Sequence, residues 1–500
     1  MLAGSRGVGG KSLACVPQLI QLRVASKFVS SAEESSQMAP RPQGPGAVEG
    51  MLTVDEVAAM VATGELDTVV VAFCDMQGRL VGKRIQGEYF VDSVVRGGVE
   101  ACVYLLADDM EMEPVRGYQI ANPSSGYGDL SLKCDMDTLR RIPWLEGTAL
   151  VLCDIALQDG TPVHEAPRQV LLDQYQRAYD LGYTLFTASE LEFYVYRETY
   201  REAREAGYSG LEPLSSYNSD YHVLASTYAE PLIRTIRTNM QAAGIPIEYS
   251  KTEAWHGQQE INVRFSNAIT SADRHVIYKN GVKEIAHQQG LAATFMPKPF
   301  DDSMGSSCHI HLSLVAADGS GSIFVDGDGE ETPAFKHFIG GVRAHLAEVA
   351  LLLAPTINSY KRYSAEGWAP NTIAWGRDNR TCGIRVVGDG QARRIECRIP
   401  GADANPYLAK AILLAAGIDG IDNQIDPGPE LHGSAYESAK AEPFPSSLRE
   451  AIVNWERSEF AQQALGEQVW SHYLNFGKGE QRSFDAAVTD WERHRYFERG

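Results

Sequence analysis

Long apolar runs are missing from this chain of 500 residues. None reaches the roughly 18 consecutive apolar residues that a membrane-crossing helix needs, so no helical span is expected. Cysteine is sparse and scattered: eight residues and no C-x-x-C pair. Neither a disulfide framework nor a thiolate zinc site is expected, and the pattern suits reduced thiols in a cytoplasmic protein. Basic residues are outnumbered, 45 Lys and Arg against 65 Asp and Glu, for a formal net charge of −20. That balance disfavours nonspecific nucleic-acid binding and adhesion to an anionic membrane surface. Internal repeats are absent, as is any low-complexity tract beyond the N-terminal tail. What remains is ordinary globular composition, 44% hydrophobic and 22% charged, at a length that supports two or more domains.

Residues 1–50 differ from the rest. Residues 1–32 carry Arg6, Lys11, Arg23 and Lys27 and no acid, and residues 35–50 are rich in Ser, Pro and Gly. The stretch reads as a disordered tail or an over-extended start, with Met38 or Met51 as alternative first residues. Its basic, Ser-containing character also suits a targeting peptide; the apolar stretch Cys15–Ile20 is too short and interrupted for a secretory signal. Residues 51–63 form an amphipathic helical pattern. Thr68–Phe73 is a buried strand, Asp75–Gly78 a turn and Arg79–Ile85 its hairpin partner; Val103–Leu106 and Ala149–Asp154 read as further strands. These elements define a small strand-rich domain over residues 51–158, closed by the linker signal Gln158–Pro162. A larger domain spans 159–500. It opens with a helix from Pro167 and a strand over Thr184–Tyr196, continues as helices alternating with charged strands, and has a helix over Asn405–Ile421 with more helices beyond residue 425.

Those charged strands are the most informative feature. Glu190-Leu191-Glu192-Phe193, the run from Glu260 to Phe265, His309-Ile310-His311-Leu312-Ser313 and Arg394-Ile395-Glu396-Cys397-Arg398-Ile399 each alternate charged and apolar residues. Lys251-Thr252-Glu253 and the Arg380 to Arg385 segment do so more loosely. A strand alternates faces with period two, so the charges share one face. Several such strands rich in Glu, His and Arg suggest a lumen lined by metal-binding carboxylates and anion-binding guanidinia. His309-x-His311 alone would suggest zinc; the excess of carboxylates points to Mg²⁺ or Mn²⁺.

Five ordered motifs resemble the glutamine synthetase family over nearly the whole chain past residue 51. The run from Lys298 through Gly305, His309 and His311 to Ser313 resembles the nucleotide signature. Asn358-Ser359-Tyr360-Lys361-Arg362 and Ala392-Arg393-Arg394-Ile395-Glu396-Cys397-Arg398 resemble substrate and phosphate segments. Ser189-Glu190-Leu191-Glu192 and Gly257-Gln258-Gln259-Glu260 resemble metal segments. The resemblance implies one ion on Glu192, Glu253 and Glu260 and another on Glu190, His309 and Glu396. It implies that Arg362 and Arg398 hold the carboxylate of glutamate, that the backbone of Gly305 meets its amino group, and that Arg380, Arg385 and Arg394 bind phosphate groups. His311 and Ser313 would be nucleotide contacts, and Arg362, Arg380 and the pocket residue Trp368 the catalytic set.

The departures from the family pattern centre on the ammonium site. The family acid six residues after the substrate arginine is Trp368 here, in Arg362-Tyr363-Ser364-Ala365-Glu366-Gly367-Trp368-Ala369-Pro370. The family's Phe-Asp-Gly-Ser-Ser motif is absent; Gly98–Tyr104 occupies its place, with Cys102 or a neighbour at the acid position. Met304 replaces the family asparagine before the substrate glycine, and Tyr436 sits in a segment whose flanks differ from the family's regulatory tyrosine. The expectation is an α+β enzyme with a β-grasp-like N-terminal domain and a larger catalytic domain, whose curved antiparallel sheet is flanked by helices. It would assemble as a homo-oligomer of two stacked hexameric rings. It would use ATP and Mg²⁺ or Mn²⁺ to join glutamate to a primary amine through γ-glutamyl phosphate. A short amine such as ethanolamine is favoured. The alternatives are a polyamine, ammonia with Glu366 as the base, or a catalytically silent paralogue.

Overall fold

An N-cap starts the first described helix, Val54–Thr63. The Thr53 hydroxyl accepts from the Glu56 amide and the Glu56 carboxylate accepts from the Thr53 amide, a capping box, while Val57 and Met60 turn inward. The computed structural model describes residues 39–40, 49–363 and 368–500. Most of the tail, including Met38, and the loop residue Glu366 lie outside the described residues.

Five strands follow: β1 (Thr68–Cys74), β2 (Leu80–Gln86), β3 (Val99–Cys102), β4 (Asp129–Arg141) and β5 (Thr148–Ala156). They form one sheet in the order β2-β1-β5-β4-β3. The β1–β2 hairpin closes on Gly78, whose φ of +79° suits a residue without Cβ. The chain then forms β6 (Tyr183–Tyr196), β7 (Ile247–Thr252), β8 (Gln258–Val263), β9 (Ser266–Asn267), β10 (Ala292–Thr294), β11 (Cys308–Ala316), β12 (Trp375–Arg377), β13 (Ile384–Val387) and β14 (Arg394–Cys397). These make a nine-stranded sheet with the path β12-β13-β14-β11-β6-β8-β7, β9 and β10 pairing with β6. It is antiparallel except for β12 against β13. The first sheet is likewise mixed, with β1 parallel to β5.

Three expectations are corrected. Val103–Leu106 is a 3₁₀ turn. Cys102 already pairs with Asp129, the first residue of β4, so no partner remains for 103–106, and the run turns inward to bury Val103 and Leu106. The strand expected from Glu260 to Phe265 ends at Val263: the Arg264 amide still reaches the Pro246 carbonyl at 2.9 Å, but proline has no N–H to return and the ladder stops there. The Gln158–Pro162 segment is a tight turn, with the Leu157 amide donating to the Thr161 carbonyl at 2.8 Å.

Residues Ala39–Gly500 form one compact unit, and one apolar core runs beneath both sheets. Within it, the helix Pro406–Asp422 is buried on nearly every face. Arg168, at the start of the helix Pro167–Asp180, ties the first sheet to the helix Ala268–Gln288. Its Nε donates to Asp273 Oδ1 at 2.9 Å and its Nη2 to Asp273 Oδ2 at 3.0 Å. It also pairs with Asp135 on β4 at 2.6 Å and with Asp154 on β5. Asp273 lies on the helix Ala268–Gln288 and accepts the Tyr407 hydroxyl at 2.7 Å from the next helix bundle layer. Among the described residues no helix is long and apolar enough to cross a membrane, and the seven described cysteines are free thiols.

Removing Arg168 leaves the buried Asp273 without its cation and Asp135 and Asp154 crowded beside it, a loss on the order of 3–5 kcal/mol. Arg168→Met should therefore lower the urea midpoint markedly, and Arg168→Lys should recover little, because a point charge cannot reproduce the fork. An Arg168→Met midpoint equal to wild type would remove this hub from the account.

Candidate active site

Strand register assembles the site. His309 on β11 pairs with Glu190 on β6, and His311 pairs across the other edge of β11 with Glu396 on β14. Glu192 on β6 pairs with Glu260 on β8, which pairs in turn with Lys251 on β7. Arg385 on β13 pairs with Glu396. Opposite residues in a ladder lie side by side on one face, so six strands deliver their charges to one patch. The alternate residues Leu191, Ile261, Ile310, Ile395 and Cys397 are buried on the other face.

Two donor clusters result. Ligand atoms of Glu192, Glu253 and Glu260 lie within 4.8 Å of one another, and so do those of Glu190, His311 and Glu396. His309 joins the second cluster, its Nδ1 standing 2.9 Å from Glu190 Oε1 and 3.4 Å from Glu396 Oε1. The six residues expected as metal ligands are thus brought together, with His311 as a seventh neighbour 3.3 Å from Glu190 Oε2.

The electrostatics of the two clusters differ. Burial opposes ionisation of Glu190 and Glu396. Hydrogen bonds to His309 and His311 nonetheless hold Glu190 well below the carboxylate range. The charge of Arg398, with that of the imidazoles when they are protonated, holds Glu396 at about 2. Burial and the charge of Arg398 hold His309 below its ordinary value, in the neutral form that ligates metals. Burial and the neighbouring carboxylates, Glu253 foremost, push Glu260 up to about 10; burial and Glu253 raise Glu192. Three crowded carboxylates faced by the single ammonium of Lys251, 2.5 Å from Glu253, are an arrangement that a divalent cation would relieve. Oxygen donors with at most one or two imidazoles suit a hard cation rather than zinc. The donor set therefore fits the expected Mg²⁺ or Mn²⁺.

Two cavities open on either side of this patch. The larger, about 790 Å³, is bordered by Glu190, His311, Ser313 and Arg394. Arg394 donates from Nε to His311 Nδ1 at 3.2 Å, and Ser313 from Oγ to the Arg393 carbonyl at 3.4 Å. Phe186, Tyr249 and Phe265 also border it, three aromatic rings with room for a flat heterocycle. The smaller cavity, about 290 Å³, is lined by Glu192, Glu253, Arg362, Arg380, Arg398 and Trp368, among others.

The arginines are placed unequally. Arg380 is exposed at the rim of the smaller cavity. Arg362 is buried, and donates from Nη1 to the Ile399 carbonyl at 2.8 Å and from Nη2 to the Arg398 carbonyl at 3.1 Å. Arg398 and Arg385 both reach Glu396, Arg385 at 2.8 Å, and Arg385 also pairs with Asp378. Gly305 has a structural reason beyond substrate approach, since a Cβ there would come within 2.4 Å of Arg362 Cγ. Met304 lines the cavity and its carbonyl accepts the Tyr194 hydroxyl at 2.7 Å. Cys102 sits at the end of β3, where its thiol donates to the Tyr127 carbonyl at 3.3 Å.

Trp368 stands on the cavity wall, 66% exposed, with a left-handed φ of +51°. Its carbonyl accepts the Tyr436 hydroxyl at 2.6 Å, and Tyr436 lines the same cavity. Tyr436 is a pocket residue that the sequence left unassigned, being remote in the chain and outside any strand pattern. Lys251 was also left without a role, although its place two residues before Glu253 puts both on one strand face.

With this geometry in view, comparison with known proteins is direct. Residues 164–496 match the family profile "Glutamine synthetase, catalytic domain". The chain is 48% identical over 448 residues to the "Gamma-glutamylethanolamide synthetase GlnA4" of Streptomyces coelicolor, covering 90% of this chain and 96% of that protein. It is 34% identical to the "Glutamate--isopropylamine ligase" of a Pseudomonas species, covering 89% and 97%. A solved structure described as "Apo GmaS without ligand" superposes with a TM-score of 0.77 at 30% identity, over 88% of this chain and 99% of that one. The chain belongs to the glutamine synthetase family. It is an ATP-dependent ligase that forms a carbon–nitrogen bond, and families of this kind use divalent metals.

The raised carboxyl of Glu260 gives a pH signature. Its proton is retained in the folded protein between its ordinary value of 4.5 and about 10 and lost in the unfolded chain. The folded state thus binds more protons in that window, so the metal-free protein should lose stability as pH rises through it. Saturating Mg²⁺ or Mn²⁺ should flatten that slope and release protons on binding. Melting curves across the window, with EDTA or with metal, and calorimetry in two buffers measure both effects. Metal binding without proton release near neutral pH would contradict the crowding described for this cluster.

Proposed function

We propose that this chain joins the γ-carboxylate of glutamate to a short primary amine, ethanolamine in the first instance, with ATP converted to ADP and phosphate. The observation that carries this reading is the wall of the smaller cavity, where Trp368 occupies the place of the family acid and Tyr436 stands with it among the described lining residues. An indole face attracts a cation and packs against methylenes, yet cannot take a proton. The amine therefore gains from its alkyl part, and ammonium lacks that gain. The relatives named for ethanolamine and isopropylamine support a short alkyl amine.

In this reading Glu192, Glu253 and Glu260 hold one ion, Mg²⁺ or Mn²⁺, and Glu190, His309 and Glu396 the other, with His311 turned toward the nucleotide. The ions supply charge neutralisation around the phosphoryl group. ATP occupies the larger cavity, its base between Phe265 and Tyr249 and its phosphates toward Arg394 and Arg385. Glutamate occupies the smaller cavity, where Arg362 and Arg398 orient its carboxylate, the Gly305 backbone meets its amino group and Met304 borders it. Arg380, exposed at the rim, meets the phosphoryl group as it passes to the γ-carboxylate. The resulting acyl phosphate gives the amine a good leaving group. We further propose a cytoplasmic ring-shaped homo-oligomer and a domain boundary near residue 158.

Phosphate release with glutamate, ATP and each amine in turn tests the reading. Two buried methylenes at roughly 0.8 kcal/mol each should favour ethanolamine over ammonia by about tenfold. Trp368→Glu should move that preference toward ammonia, and Glu396→Ala should abolish turnover with every amine. Efficient use of ammonia by the wild type, with no gain from ethanolamine or polyamines, would return the chain to ordinary glutamine synthesis.

A further inference from the structure

Cys134 and Cys153 lie directly opposite one another on the antiparallel strands β4 and β5. Their sulfurs are 3.7 Å apart, the Cys153 thiol donating to Cys134 Sγ. Cys153 is fully buried, whereas Cys134 is only half-buried and open to a small oxidant. The β carbons of opposed residues in a ladder are about 4.5–5.5 Å apart, close to the roughly 3.5–4.5 Å that a disulfide requires. The remaining approach is small, and the pairing of β4 with β5 is in regular register from Ser131 through Asp135, which keeps the two sulfurs opposed. The hydrogen bond from Cys153 lowers the Cys134 thiol below its ordinary value, while the same bond and burial raise Cys153.

We propose that Cys134 and Cys153 form a peroxide-responsive redox pair, oxidised to an intrachain disulfide. The Cys134 thiolate attacks a peroxide oxygen, breaking the O–O bond and giving a sulfenic acid and hydroxide. The Cys153 sulfur then displaces hydroxide from the Cys134 sulfur and yields its proton. In sum, two thiols and one hydrogen peroxide give one disulfide and two waters, with two electrons passing from sulfur to peroxide. The bond closes at the root of the Arg168 hub, because Asp135 and Asp154 are the next residues on the two strands. It therefore fastens the strand pair on which Arg168 is anchored, and stabilises the fold by restricting the unfolded chain.

The test uses the full-length protein, freed of reductant and treated with graded hydrogen peroxide. Native thiol titration should fall by two, and non-reducing peptide mapping should recover a peptide pair joining Cys134 to Cys153. The melting temperature should rise, and dithiothreitol should reverse all three changes. Cys134→Ser, at the half-buried position, should abolish the cross-link and the melting shift while leaving basal ligase turnover intact. Mapping that finds Cys134 as sulfinic acid with Cys153 still a free thiol, or both thiols intact under peroxide that oxidises other cysteines, would overturn the proposal. A melting temperature that falls on cross-linking would overturn its stabilising role.

Discussion

Everything in the catalytic half depends on holding like charges together. Glu190, Glu192, Glu253, Glu260 and Glu396 converge on one patch, with three ligand atoms of each cluster inside 4.8 Å. At an effective dielectric of about 20, two unit charges 4 Å apart interact by about 4 kcal/mol. Such a cluster scatters unless something heavier fixes the backbone, and here that is the sheet. Its opposite face carries Leu191, Phe193, Ile261, Ile310, Leu312 and Ile395, all buried, and the helix Ala268–Gln288 packs along β6. Apolar burial on one face stabilises a charge arrangement on the other, through the same alternation of residues. Arg385, Arg398 and Lys251 offset part of the repulsion from within the patch. The cluster of Glu192, Glu253 and Glu260 has only Lys251, and it is there that a proton stays on Glu260.

The portions of this design legible in the sequence are those written as period two. Glu190 with Glu192, His309 with His311, and Arg394 with Glu396 declared a shared face before any partner strand was known. The strands that carry them begin and end near their expected positions. The exceptions have local causes. Val103–Leu106 is apolar enough for a strand, but β4 begins opposite Cys102 and leaves it unpaired. Phe265 continues the alternation of β8, yet the backbone departs at Arg264 and turns the ring toward the larger cavity. Register was illegible altogether: the sequence does not say that Glu192 faces Glu260 or that Lys251 stands next in that row. Tyr436 was illegible for the same reason, since its position is set by a hydrogen bond across 68 residues of chain.

The arginines show where a residue's motif and its contacts ask for separate explanations. Arg362 and Arg398 sit in motifs that resemble substrate segments, and both border the smaller cavity. Arg362 nonetheless directs two donors at backbone carbonyls of the strand end after β14. Those bonds fix the guanidinium in one plane, and a fixed fork is a better carboxylate receptor than a free one, since less rotamer entropy is lost on binding. Arg398 and Arg385 are fixed in turn by Glu396. Arg380 is the exposed member of the group, at the junction where a phosphoryl group would cross between the two cavities.

The same logic of fixation extends to the amine end. A tryptophan in a left-handed backbone conformation costs on the order of 1–3 kcal/mol, and persists only where its surroundings over-determine it. The Tyr436 hydroxyl supplies one such constraint by binding the Trp368 carbonyl at 2.6 Å. Two aromatic side chains are thereby coupled on one wall of a 290 Å³ cavity whose opposite lining carries Glu192 and Glu253. An incoming alkylammonium would meet aromatic faces on one side and carboxylates on the other, a pairing that suits a cation with an apolar tail. Ammonium satisfies only half of it. On the proposed reading, selectivity for an amine would follow from this division of the wall into aromatic and anionic halves, with the metal and nucleotide machinery on the sheet left as it is.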